Sequence, residues 1–239
     1  MTGGNARAEE LRANLKAVRA RIAAACEAAG RPADDVTLIA VTKTFPASDV
    51  RLLVELGVID IGENRDQEAA RKVAEIGALD PGPRWHFVGQ LQANKARSVV
   101  RYADVVHSVD RLRLVEVLGA RARAVGRAVT CLVQVDLDLE PEPDRGGAAP
   151  GDVARLADAI AAEAGLTLGG VMAVAPLDAP PRPAFRRLAE VARAVRAAHP
   201  DATIISAGMT GDLEEAIAEG ATHVRVGTAL LGGRRPLVR

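Results

Sequence analysis

The run Thr37-Leu-Ile-Ala-Val-Thr-Lys43 reads as a buried strand that closes on an amine. Burying an unpaired ammonium costs on the order of several kcal/mol, so an apolar strand has no structural use for one at its mouth. Three outcomes are open: the charge is neutralised, the amine condenses with a carbonyl to give an imine, or the side chain extends past the strand into solvent. Condensation needs the free base. Partial burial would lower the Lys43 pKa from about 10.4, Thr42 and Thr44 add no charge, and Phe45-Pro46 would help exclude water.

A second group of residues stands near the other end of the chain. Ser206-Ala-Gly-Met-Thr-Gly211 joins glycines, which let a ligand approach the backbone, to the Thr210 hydroxyl directly ahead of a helix whose first amides attract an anion. Gly227-Thr228 repeats the pairing of glycine with hydroxyl. Two such loops suit one phosphate; the plainer reading of the first is that Thr210 or Asp212 caps the helix, with Glu214 and Glu215 answering its dipole. Arg225 alternates in step with His223 and Gly227, so the last strand turns it toward the ligand side, unless it serves only a salt bridge at the rim. An amine for an aldehyde, a cradle for an anion and a cation between them describe pyridoxal 5'-phosphate. Guanidinium holds its proton too tightly to protonate a pyridine nitrogen, so an Arg partner leaves the ring a poor electron sink. His86, between Trp85 and Phe87, either faces that ring or packs in the core.

The elements that must position these groups alternate along the chain. An amphipathic, Ala- and Arg-rich helix from Ala6 to Ala29 is closed by Gly30 and Pro32. Eight strands are then expected, at Thr37 to Lys43, Val58 to Gly62, Arg84 to Gly89, Val105 to Val109, Thr130 to Leu137, Leu168 to Val174, Thr203 to Ala207 and His223 to Leu230. Helical patterns fill the gaps, at Ala47 to Leu56, Arg65 to Ile76, Asn94 to Arg101, Arg111 to Val125, Gly151 to Ala164, Ala184 to Ala198 and Asp212 to Glu219. Several strands are continuous apolar runs, the mark of strands covered on both faces. Eight such units predict an α/β fold, a (β/α)8 TIM barrel with an extra N-terminal helix and its site at the carboxyl ends of the strands. An open doubly wound sheet would need a Gly-rich fingerprint after the first strand, where Thr42-Lys-Thr-Phe-Pro46 has none. The strand ends are polar throughout, but Asn64, Asn94 and Asp110 each stand where a helix N-cap is wanted.

Composition excludes several classes. With 239 residues and 49% apolar content the chain can bury one large core, and residues 1–239 are expected to form a single barrel domain. Lys plus Arg balance Asp plus Glu at 31 each, unlike the basic footprint of a nucleic-acid binder. No segment reaches the roughly 18 uninterrupted apolar residues of a membrane span, and the polar opening from Met1 to Glu10 leads into no hydrophobic stretch, so a cytoplasmic protein is expected. Cys26 and Cys131, with four scattered histidines, support neither a disulfide framework nor a metal site.

An ordered set of motifs resembles one family. Ala40-Val-Thr-Lys-Thr44, Gly62-Glu-Asn-Arg65, Trp85-His-Phe-Val-Gly-Gln-Leu-Gln-Ala-Asn-Lys95, His107-Ser-Val-Asp110, Gly170-Val-Met-Ala-Val-Ala-Pro176, Ser206-Ala-Gly-Met-Thr-Gly-Asp212 and Val224-Arg-Val-Gly-Thr228 follow one another as in the pyridoxal 5'-phosphate homeostasis proteins, single-domain relatives of the alanine racemase N-terminal barrel. The resemblance covers nearly the whole chain. It implies the cofactor held as an imine on Lys43, phosphate contacts from Met209 and Thr210 and from Gly227 and Thr228, and Arg225 near the pyridine nitrogen. Asn64, His86 and Ser206 complete the candidate set. Two departures stand out: Thr210 replaces an expected Ser with retention of the hydroxyl, and the acidic, Pro- and Gly-rich segment Asp136 to Gly151 replaces a more neutral one, which puts any lid function there in doubt.

Three readings of function follow. The first is a carrier that takes part in cofactor homeostasis without turnover, expected as a monomer with pyridoxal phosphate and apoenzymes that depend on it as partners. The resemblance supports this by subtraction, because racemases of this barrel type take a second acid-base residue, a Tyr, from an added domain, and the one tyrosine here is Tyr102. The second is a weak racemase or another Schiff-base enzyme. The third is docking through charges of the opening helix, which otherwise covers the barrel exterior.

Overall fold

The structure is a computed structural model and describes residues 2–138 and 146–233, with side chains from residue 6 onward. Eight parallel strands close into a barrel in chain order: β1 Thr37–Val41, β2 Asp60–Glu63, β3 Arg84–Phe87, β4 Val105–Val109, β5 Val129–Gln134, β6 Leu166–Met172, β7 Ile204–Ser206 and β8 His223–Val226. Closure is made by β1 pairing with β8, Thr37 opposite His223 and Ala40 opposite Val226. Around it lie α2 Ala47–Glu55, α3 Asp66–Ile76, α4 Ala96–Val99, α5 Leu112–Ala124, α6 Val153–Ala162, α7 Pro181–Ala198, α8 Leu213–Ala218 and α9 Thr228–Leu231, preceded by α1 Thr2–Ala28. The expected TIM barrel with an extra N-terminal helix is what forms.

The main core lies between strands and helices, and it is built from the small and branched residues that a chain with 2% aromatics must use. α1 contributes Leu11, Leu15, Val18, Ile22 and Cys26, spaced three or four apart so that one stripe faces the barrel. Its polar residues also bind the barrel. Arg7 donates to Asp49 at 2.6 Å and to the Leu231 carbonyl at 3.0 Å, Asn14 to the Leu230 carbonyl, and Arg21 to Glu214 and the Thr210 carbonyl. The arginines expected to dock a partner are in these cases spent on the chain itself.

Strand boundaries differ from expectation at two functional ends. β1 stops at Val41, so Lys43 lies in a turn rather than in the strand. β8 stops at Val226, and the residues expected to extend it to Leu230 wind into the one-turn α9. Of the Asp136 to Gly151 segment, residues 139–145 lie outside the described residues, as do 234–239.

Candidate functional site

The carboxyl mouth is built around the turn that follows β1. Thr42 is fully buried; its hydroxyl donates to Glu63 Oε1 at 2.5 Å, and its carbonyl accepts from Phe45 N–H at 3.0 Å and from Lys72 Nζ at 2.6 Å. Lys72 also donates to Glu63 at 2.6 Å and Glu68 at 2.8 Å, and Glu68 accepts the Thr44 N–H. Four side chains from β2, α3 and this turn thus hold one backbone conformation, and that conformation is costly: Thr44, β-branched, sits at φ 71°. Burial pushes the Glu63 carboxyl up while Lys72 and Thr42 hold it against that rise. Its second oxygen is buried without a hydrogen bond. Lys43 itself is exposed. The expectation of a half-buried lysine is corrected, because the chain leaves the barrel two residues earlier than the sequence indicates; burial is not what readies this amine. Phe45 is half-buried and carries Arg7 5.6 Å above its ring.

On the opposite wall β7 and β8 place Arg225. It is 5% exposed, and its guanidinium donates to the Ser206 carbonyl at 2.8 Å, the Ser206 hydroxyl at 2.7 Å and the Ala173 carbonyl at 2.8 Å. Among the described residues no carboxylate pairs with it directly; burial pulls its pKa from the usual 12.5 down to about 10, against the more distant Asp212. At neutral pH it therefore remains a cation. Gly227 lies two residues on, where a Cβ would come 3.3 Å from the Val41 carbonyl of β1. The loop after β7 carries Met209, exposed, and Thr210, half-buried. Asp212 occupies the cap position of α8, but its carboxylate accepts the Met209 N–H at 2.6 Å and makes no cap bond, so it fastens the loop instead. Thr228 is exposed at the start of α9.

Behind Arg225 the barrel interior is polar. Ser206 Oγ lies 3.0 Å from His107 Nδ1, His107 Nε2 lies 2.9 Å from His86 Nδ1, and His86 Nε2 lies 2.9 Å from Asp60 Oδ1. Both nitrogens of His86 are spent on protein partners, so it backs the site and offers no free nitrogen to the mouth. Burial, His86, Arg225 and His223 hold His107 well below the usual imidazole range.

Comparison with known proteins places this geometry. The family model for the alanine racemase N-terminal domain matches residues 13–235. The chain belongs to that family. Within it, the chain is 44% identical over 244 residues to the pyridoxal phosphate homeostasis protein of Mycobacterium tuberculosis, covering 96% of this chain and 95% of that one. The protein of the same name in Escherichia coli is 36% identical over 229 residues, covering 92% and 95%. Among solved structures, PipY of Synechococcus elongatus with PLP bound superposes with a TM-score of 0.79 at 34% identity, covering 93% of this chain and all of that one. An alanine racemase from Streptomyces coelicolor, at 22% identity and a TM-score of 0.72, shares the fold over 58% of its length.

Within the family barrel, three capping assignments are corrected. The cap positions fall on Arg65 for α3, Lys95 for α4 and Arg111 for α5, each without a side-chain cap bond. Asn64 instead lies against Gly89, where any Cβ would run into the Asn64 carbonyl, and Asp110 pairs with Arg111. Lys72, Glu68, Asp60 and His107 were not among the residues singled out for the site; only Asp60, a lone acid in the apolar run Val58-Ile-Asp-Ile61, carried a visible signal. A cavity of 290 Å3 borders the mouth beside Asn64, Phe87, Gln90 and Lys95. Another, of 410 Å3, opens at the amino end under α1, but the chemistry-bearing groups gather at the mouth.

Proposed function

We propose that this chain binds pyridoxal 5'-phosphate at the carboxyl mouth, held as an imine on Lys43, and takes part in cofactor homeostasis in the cytoplasm without turnover of its own. The observation that carries this is Arg225: a guanidinium buried at the mouth end of the barrel with no directly paired carboxylate among the described residues. Such a charge is stable only with a strong acceptor or an anion nearby. The residues fit the cofactor. Lys43 supplies an amine accessible to an aldehyde, and condensation forms a C=N bond with loss of one water. Arg225 would donate an N–H to the ring nitrogen, while Met209, Thr210, Gly227 and Thr228 would offer backbone and hydroxyl donors to the phosphate. Asn64 would border the ring, and Ser206 and, through His107, His86 support Arg225 from behind.

The cofactor supplies an electrophilic aldehyde and an electron-withdrawing ring. Arg225, still protonated at neutral pH, would leave the ring nitrogen without a proton, which would weaken that withdrawal. Tyr102, the one tyrosine of the sequence, is buried with its hydroxyl 3.5 Å from Asp66, and burial raises its pKa, so it is badly suited to proton transfer opposite Lys43. Both features support a carrier over a racemase.

Borohydride reduction of the loaded protein followed by peptide mapping tests the reading. Lys43 is expected to carry the label, and Lys43→Ala to lose the visible absorbance. Label on another lysine, or colourless wild-type protein after cofactor addition, sinks it. Solvent deuterium entering the α-carbon of an added amino acid faster than with free cofactor would favour the enzyme instead.

A further inference from the structure

Five side chains cross the barrel interior in one unbroken line, from Asp60 at the amino end of β2 through His86, His107 and Ser206 to Arg225 near the mouth. Their exposures are 9%, 2%, 0%, 0% and 5%, so the three middle groups are shut off from bulk water. The two ends fix the direction of everything between. A guanidinium can only donate, so Ser206 Oγ accepts from Arg225; an ionised carboxylate can only accept, so His86 Nε2 carries a proton and donates to Asp60. If both rings are neutral, each has one donor and one acceptor, and a single arrangement remains. His107 Nε2–H donates to His86 Nδ1, and the Ser206 hydroxyl donates to His107 Nδ1. All four bonds then point from the cation to the anion.

We propose that Asp60, His86, His107 and Ser206 form a one-way positioning relay that holds Arg225 in a single orientation from the far end of the barrel, where Asp60 is itself paired with Arg84 at 3.4 Å. The relay rests on the functional reading only for what Arg225 meets at the mouth. Holding the guanidinium through two carbonyls and a hydroxyl leaves its remaining N–H groups as donors toward a ligand, whereas a carboxylate beside it would occupy them. At the other end of the molecule Asp60 lines the 410 Å3 cavity with Arg19, Asp34 and Thr37.

The test begins without cofactor. Two-bond 1H–15N spectra of the full chain labelled on histidine, with His86→Gln and His107→Gln for assignment, should show both rings in the Nε2–H tautomer near pH 7.5. A Nδ1–H tautomer at either ring, or a doubly protonated His86, overturns the relay. Next, Asp60→Ala should weaken pyridoxal phosphate binding by about 10-fold, the scale of one lost hydrogen bond, and shift the absorbance of the bound form. Asp60→Asn, which keeps an acceptor for His86, should restore both. Unchanged affinity and spectrum in Asp60→Ala refute the relay as well. Failure of Lys43 trapping with both tautomers as expected would refute the functional reading and leave the relay standing.

Discussion

Two buried charge systems sit less than one helix apart in this sequence and solve different problems. Outside the barrel wall, Lys72 is clasped by Glu63, Glu68 and the Thr42 carbonyl in a compact cluster, with one Glu63 oxygen left without a bond. Inside the barrel, Asp60 and Arg225 stand at the ends of a line with two imidazoles and a hydroxyl between them, each contact between 2.7 and 3.0 Å. The cluster keeps opposite charges in contact and holds a strained turn; the line keeps them apart and leaves one end available. Buried ion pairs of the first kind seldom add net stability over an apolar replacement, so their retention points to shape. The barrel interior beyond the line is plain: Val105, Leu132 and Met172 pack there with Val174 and Ile204.

The sharpest way to break the contrast is to remove Lys72. Lys72→Ala leaves Glu63, fully buried, without its cation, and losing one partner of such a pair costs about 3–5 kcal/mol. For a chain of this length that is a fall in Tm of roughly 10 °C. Calorimetry of the single variant and of Lys72→Met with Glu63→Gln decides it: the double variant should recover most of the loss. If the double variant is as unstable as the single one, the cluster is not held by charge pairing.

The line predicts a different response, to pH. His107 and His223 are held neutral by burial, His223 down to about 4 from the usual 6.5. Below 6.5 the unfolded chain therefore binds more protons than the folded one, so stability is full above that value and is lost as pH falls toward 4. The slope is up to about 1.4 kcal/mol per unit for each histidine. Glu63, raised by burial, works in the opposite sense as it protonates, but one carboxyl faces two imidazoles. Denaturant midpoints measured from pH 7.5 to 5 should drop steadily; a flat profile would mean that these rings take up protons in the fold as readily as in the unfolded chain.

Much of this was legible in the sequence. Eight apolar runs alternating with amphipathic stretches give the barrel, because β-α units repeat locally and each carries its own period. The strand ends were harder. Thr42 and Lys43 continue a run that favours strand, and what turns the chain there comes from Glu68 and Lys72, 24 and 30 residues further on. At the other end Val226 to Leu230 reads as a continuation of the strand, yet the chain coils after Gly227. The line was hidden for a related reason. Parity turns Arg225 toward the ligand side and leaves His86 open between ring and core; only the closed register of the barrel, with Gly62 opposite His86 and His86 opposite Val105, brings polar residues of five strands within bonding reach.

The smallest effect tests whether the cluster exists for the turn. Thr44 at φ 71° carries a conformation that costs a β-branched residue on the order of 1–3 kcal/mol, and glycine adopts it freely at some loss in unfolded-state entropy. Thr44→Gly should therefore gain about 1 kcal/mol, or 2–4 °C in Tm. The informative quantity is the coupling. If the cluster's work is to hold this turn, Lys72→Ala should cost less in the Thr44→Gly background, by at least about 0.5 kcal/mol in a double-mutant cycle. Strict additivity would separate the two features and leave Lys72 with Glu63 alone to serve, which returns the question to why a barrel wall keeps a buried carboxylate at all.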